Sequence, residues 1–129
     1  MGIETIFIID DDPIHQMIAK MMIDRQKIAK NIVSFLEADL ALDSLRKFSG
    51  DENSLPDIIL LDLNMPIMDG WDFLDEFEKI KLKLPKVIKV YIVTSSVNDK
   101  DITRAEKYST VCGYITKPLN KDVIAKLAI

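Results

Sequence analysis

Short runs of consecutive apolar residues alternate along this chain with segments in which apolar residues recur every three or four positions. The first run, Ile6-Phe7-Ile8-Ile9, is apolar at every position, as a strand covered on both faces by helices should be. Asp12-Pro13 reads as an N-cap followed by proline at the first helical position. Ile14, Ile18, Met21 and Met22 then keep a helical spacing to about Arg25. A second strand is expected around Ile32 to Leu36, followed by a helical stripe of Ala38, Ala41, Leu45 and Phe48 that ends before Gly50. Asp51-Glu52-Asn53-Ser54 reads as a loop. Ile58-Ile59-Leu60-Leu61 is a third strand, broken by Asn64-Met65-Pro66 and turned by Asp69-Gly70.

Phe73, Leu74, Phe77 and Ile80 mark a third helix, and Val90 to Val93 a fourth strand running into Thr94-Ser95-Ser96. Asp99 to Tyr108 is a weaker helix with Ile102 and Ala105 as its apolar contacts. Gly113 to Thr116 is a fifth strand stopped by Lys117-Pro118, and Asn120 caps a last, short helix carrying Val123, Ile124 and Leu127. Strict alternation of strand and helix predicts an α/β fold: one parallel sheet, helices on both faces, right-handed crossovers. A chain of 129 residues suits a single domain, and no internal repeat divides it.

Composition narrows the function classes. The net charge is −4, so no broad basic field is available for nucleic-acid phosphates. The one basic stretch, Lys79, Lys81, Lys83, Lys86 and Lys89, reads as a solvated helix end and loop. The single cysteine, Cys112, excludes an internal disulfide and agrees with a reducing, cytoplasmic setting; its apolar neighbours predict a buried, inert thiol. Glu4 interrupts the first apolar run, so no signal peptide is expected, and no apolar run reaches membrane-spanning length. Met1-Gly2 opens like a myristoylation site, but Ile6 stands where that motif needs Ser or Thr.

The residues with chemistry fall just after strands. Asp10, Asp11 and Asp12 follow the first, Asp62 the third, Thr94 closes the fourth and Lys117 follows the fifth. The carboxyl ends of parallel strands form the ligand edge of an open α/β sheet, so these residues should converge. Several carboxylates in one place repel unless a cation neutralises them, and hard oxygen donors suit Mg2+. An aspartate nucleophile, a divalent ion, a lysine and a hydroxyl together make a phosphoryl-transfer arrangement. No glycine-rich phosphate loop is present, so the phosphoryl donor is expected to be small or carried by a partner, not ATP.

The segments Ile8-Ile9-Asp10-Asp11-Asp12-Pro13, Leu60-Leu61-Asp62-Leu63-Asn64-Met65-Pro66, Ile67-Met68-Asp69-Gly70, Val93-Thr94-Ser95 and Gly113-Tyr114-Ile115-Thr116-Lys117-Pro118 resemble the response regulator receiver (CheY-like) family. Each is weak alone; all five in order, each after an expected strand, are specific and span almost the whole chain. The resemblance implies a flavodoxin-like, doubly wound five-stranded sheet of order 2-1-3-4-5, a single receiver domain over residues 1–129, and a role in two-component signalling. It implies that Asp62 accepts a phosphoryl group from a sensor histidine kinase or histidine phosphotransfer protein. Mg2+ (or Mn2+) would be held by Asp11 directly, by Asp10 mostly through a water, by Asp62 and by the Asn64 carbonyl. Lys117 and Thr94 would hold the phosphoryl group, and Tyr114 would turn inward behind Thr94. That change would remodel a protein-binding face and signal to a downstream protein target, with no direct nucleic-acid or membrane contact. Such a domain promotes its own phosphorylation and dephosphorylation without being an enzyme in the ordinary sense, and Asn64 and Ser96 would tune the dephosphorylation.

Other readings compete. Asp12 is expected to cap the first helix, leaving metal work to its neighbours. His15, the only histidine, reads as a surface or edge residue. Trp71, Met65 and Met68 could pack against the third helix or border a docking surface. A haloacid-dehalogenase-type phosphatase would use Asp10 as nucleophile and Asp12 as acid/base, but it would leave Asp62 unexplained. A pseudo-receiver that only binds a partner usually lacks the acceptor or the lysine, and both are present.

Overall fold

A computed structural model describes residues 3–127; the Met1-Gly2 start and the last two residues of the expected final helix lie outside the described residues. Strands β1 (Ile3–Ile9), β2 (Ala29–Phe35), β3 (Ile58–Leu61), β4 (Lys89–Thr94) and β5 (Val111–Thr116) alternate with helices α1 (Pro13–Gln26), α2 (Ala38–Lys47), α3 (Gly70–Ile80), α4 (Asp99–Ala105) and α5 (Lys121–Lys126). Short 3-10 turns occupy Glu52–Ser54 and Lys81–Lys83. The strands pair in parallel in the order β2-β1-β3-β4-β5.

Strand side chains alternate between faces, which is why the apolar runs have no polar gaps. Phe7 and Ile9 of β1, Ile59 and Leu61 of β3, and Val90 and Ile92 of β4 face α2, α3 and α4, where Leu42, Leu45, Phe73, Leu74 and Phe77 complete one core. Ile6, Ile8, Ile58, Leu60 and Val93 point the other way and meet Ala19 and Ile23 of α1 and Ile124 and Leu127 of the α5 segment. Trp71 and Met65 belong to the first core, and Met68 packs against it, which answers in favour of packing.

Helix caps follow the expected residues. The Asp12 carboxylate accepts from the Ile14 and His15 amides, with Pro13 at the first helical position. Asp69 and Asp72 form a reciprocal capping box that starts α3, and the Asn120 side chain accepts from Val123.

Four expectations need correction. On α1 the buried face is Gln16, Ala19 and Ile23, while Ile14, Ile18 and Met21 of the expected apolar stripe are exposed. Helical spacing allows both stripes; the Gln16 amide decides, because its Nε2 donates to the carbonyls of Ile8, Asp10 and Phe35. Cys112 is exposed rather than buried. The register passes from Val90↔Val111 to Tyr91↔Gly113, so Cys112 is the extra residue of a bulge and leaves the pleat. Among the lysines, Lys86 is not solvated: its side chain is 16% exposed and pairs with Asp57 at 2.8 Å. Fourth, His15 is not a surface or edge residue, since its side chain is 13% exposed and pairs with Asp10.

Gly70 opens α3 against the strand that carries Asp62. A Cβ there would lie 2.6 Å from the Asp62 carbonyl oxygen and 2.8 Å from Leu63 Cα, both backbone atoms that cannot yield cheaply. Gly70→Ala should therefore lower unfolding free energy by about 1–3 kcal/mol in urea titration. Stability indistinguishable from the parent would mean that this contact relaxes freely.

Candidate functional site

The backbone ladder brings the chemistry together. The Asp10 amide donates to the Phe35 carbonyl, the Asp62 amide to the Ile9 carbonyl and the Lys117 amide to the Thr94 carbonyl, each one step beyond a strand end. Neighbouring parallel strands in this register therefore deliver Asp10, Asp62 and Lys117 to one edge. Carboxylate oxygens of Asp10, Asp11 and Asp62 all lie within 4.8 Å of one another, with Asp10 and Asp62 buried and Asp11 exposed.

Lys117 sits between the two buried acids. Its Nζ is 3.0 Å from Asp10 Oδ2 and 3.4 Å from Asp62 Oδ2. One ammonium thus faces two buried carboxylates and a third nearby. Burial pushes the Asp62 carboxyl up from its ordinary value, the Asp10 charge adds to this, and Lys117 and the Asn64 amide offset only part. Burial works against the Lys117 charge, but the Asp10 hydrogen bond and then the charges of Asp10 and Asp62 raise its pKa overall. The two directions agree: the lysine is held charged by its neighbours, while two acids compete for it.

Thr94 is fully buried at the end of β4. Among the described residues its hydroxyl accepts from the Ser96 amide at 3.3 Å and makes no hydrogen bond to Asp62. The Tyr114 hydroxyl, half-buried, donates to the Ser96 carbonyl at 3.0 Å, tying β5 to the loop after β4. Burial raises the Tyr114 pKa, with the Asp101 charge contributing and the Ser96 contact opposing. The Ser96 hydroxyl in turn donates to Asp101 at 2.7 Å. The Asn64 amide donates to Asp62 Oδ1 at 3.4 Å, and Asn64 itself is exposed. In the loop between, Ile67 has φ 69° and is almost wholly exposed, a strained geometry for a β-branched residue.

Two participants escaped the reading of the sequence. His15 is not a free edge residue: its Nδ1 lies 2.6 Å from Asp10 Oδ2 and its side chain is 13% exposed. Gln16 anchors the Asp10 carbonyl against β1 and β2. A helical offset of five or six from an acidic cluster was the only available signal, and it is too weak to single out either residue. Asp12, in contrast, is occupied as the α1 cap and does not point to acid/base work.

The donor set suits a divalent cation. Three carboxylates with one lysine are under-neutralised, and all the donors are hard oxygens. The cavity beside Asp62, lined by Asp10, His15 and Leu119 among others, is only about 10 Å3, room for about one water.

Comparison with known proteins gives concordant results. The response regulator receiver domain family matches residues 6–128. The probable methanogenesis regulatory protein FilR2 of Methanothrix harundinacea is 33% identical over 116 residues, covering 89% of this chain and 72% of its own. In four other curated relatives the matched stretch is a smaller part of a longer chain, between 11% and 50%. Among solved structures, a two component response regulator from Cytophaga hutchinsonii superposes with TM-score 0.90 at 27% identity, covering 98% of this chain and 95% of that one. The Mn2+-bound form of response regulator Rcp1 superposes with TM-score 0.75 at 27% identity, covering 96% and 88%. Among the described residues no helix is long and apolar enough to cross a membrane.

The raised Asp62 pKa carries a stability consequence of definite sign. A carboxyl raised above its ordinary 3.8 holds its proton in the fold after the unfolded chain has released one. Its contribution is present at low pH and is lost as pH rises through the folded value. Asp62→Asn removes this penalty while Lys117 keeps Asp10. The variant should be more stable than the parent at pH 7 in metal-free buffer, with the gap closing as pH falls through the raised folded value toward 3.8. Urea midpoints across that range check it; a variant less stable at every pH would contradict the electrostatic reading.

Proposed function

Given that the chain belongs to the response regulator receiver domain family, we propose that Asp62 is its phosphoacceptor and that residues 1–129 act as one receiver domain of a two-component system. The observation that carries this is the Lys117 ammonium 3.4 Å from a buried Asp62 and 3.0 Å from Asp10, at the carboxyl edge of the sheet. A mere strand-end turn residue has no need of a buried lysine partner or of a neighbouring acidic pair.

An Asp62 oxygen attacks the phosphorus of a phosphohistidine on a sensor kinase or phosphotransfer protein. The N–P bond breaks, its electron pair stays on the imidazole nitrogen, and an acyl phosphate forms on Asp62. Asp10, Asp11, Asp62 and the Asn64 carbonyl are the residues that would hold Mg2+ or Mn2+. When bound, the ion supplies positive charge against the carboxylates and the phosphoryl oxygens. The Rcp1 structure with Mn2+ supports that choice of cation.

Lys117 moves from Asp62 to a phosphoryl oxygen, retaining a charge-assisted contact throughout. Thr94 gives up its Ser96 contact and donates its hydroxyl to the same group. Tyr114 follows, because its hydroxyl is bonded to the same loop at Ser96. The added charge of about −1.5 to −2 thereby biases the β4–α4 loop and the face around α4, β5 and α5. Output passes through a protein partner at that face. Asn64 and Ser96 tune the lifetime of the acyl phosphate, which this chain both forms and hydrolyses.

Acetyl phosphate with Mg2+ should add the mass of one phosphoryl group to the intact protein, and Asp62→Asn should abolish the addition. Intact-mass spectrometry decides. An unmodified parent protein, or equal modification of the variant, would refute the assignment of Asp62.

A further inference from the structure

Asp10 is held from three directions. Its Oδ1 accepts from the Asp12 amide at 3.0 Å. Its Oδ2 faces both His15 Nδ1 at 2.6 Å and Lys117 Nζ at 3.0 Å. A carboxylate oxygen has two lone-pair sites, so these two groups fill Oδ2, and one site on Oδ1 remains for a cation or its water. A carboxylate only accepts, so the hydrogen of the short contact belongs to His15 Nδ1. The ring's other nitrogen, Nε2, is buried and has no hydrogen-bond partner among the described residues. A histidine that leaves one buried nitrogen unpaired is held by what the other one does.

The three contacts differ in permanence. The Asp12 amide and His15 belong to the start of α1, fixed by Pro13, by the Asp12 cap and by Gln16 beneath it. Lys117 is on another loop, shares its ammonium with Asp62, and has to leave if it is to follow a phosphoryl group. With His15 absent, Asp10 Oδ2 would depend on Lys117 alone. Each departure of the lysine would then bare a buried carboxylate, and each return would pull that carboxylate away from the cation.

We propose that His15 is a positioning residue for Asp10: its Nδ1–H holds Oδ2 so that Lys117 can transfer to the phosphoryl group without releasing the Asp10 carboxylate. The inference rests on the phosphoacceptor reading above and adds a residue to it. His15 comes from a helix rather than a loop, so it sets the plane of Asp10 and leaves one Oδ1 site open.

Two substitutions separate this role from simple packing. In Asn the side-chain nitrogen is as many bonds from Cα as Nδ1 is in His, so His15→Asn keeps the donor; His15→Leu keeps the bulk and removes it. Mn2+ titration, followed by the electron paramagnetic resonance signal of the free ion, reads the consequence in proteins checked for folding by circular dichroism. Leu should weaken Mn2+ binding by about tenfold or more, and Asn should restore it to within about twofold of the parent. Parent-like affinity in the Leu variant, or equal loss in both variants, would overturn the proposal alone. A parent protein that binds no Mn2+ would overturn it together with the reading beneath it.

Should His15→Leu fail to fold, the parent protein still decides. It has one histidine, so its ring nitrogens give an unambiguous long-range 1H–15N spectrum. The Nδ1–H signal should persist after Mg2+ and beryllofluoride are added. Its loss, with the hydrogen on Nε2 instead, would overturn the proposal.

Discussion

One ammonium between two buried carboxylates governs this molecule's chemical edge. Lys117 reaches both Asp10 and Asp62, Asp11 adds a third negative group, and the local charge does not cancel. Such a cluster is unfavourable in the empty protein, and burial makes it more so, as the raised Asp62 pKa records. The fold tolerates it because Asp10, Asp62 and Lys117 are each anchored by a backbone hydrogen bond one step past a strand end. Under the proposed function the same imbalance makes the site receptive: a cation would relieve it, and a phosphoryl group would give the lysine a second place to go.

The rest of the structure can be understood as support for that edge. Two apolar cores on opposite faces of the sheet lock the register of the central strands β1, β3 and β4. Gly70 lets α3 approach the Asp62 backbone closely, and Gln16 fastens the end of β1 to β2. Farther out, hydrogen bonds connect the edge to the α4 side, from the Tyr114 hydroxyl to the Ser96 carbonyl and from the Ser96 hydroxyl to Asp101.

The strands were legible because central parallel strands are apolar on both faces, so their runs have no gaps to confuse them. The convergence of Asp10, Asp62 and Lys117 was legible because strand ends on a parallel sheet share an edge. What escaped depends on contacts that periodicity does not carry. On α1, Ile14, Ile18 and Met21 make the more apolar stripe, yet Gln16 faces inward because three carbonyls await its amide. Cys112 lies in an apolar segment, yet a one-residue bulge turns it out. His15 meets Asp10 only because the first turn of α1 folds back over the end of β1. These are three-dimensional coincidences of a turn, a bulge and a buried amide, and residue type alone does not announce them.

If under-neutralised charge is the organising feature, the fold should respond to a divalent cation specifically and not to ionic strength. Thermal unfolding at neutral pH, with MgCl2 compared against NaCl of equal ionic strength, tests this directly. The account predicts that Mg2+ raises the midpoint progressively with concentration, that NaCl does much less, and that Asp11→Asn blunts the Mg2+ effect. A midpoint that moves equally in both salts, or in neither, would contradict it.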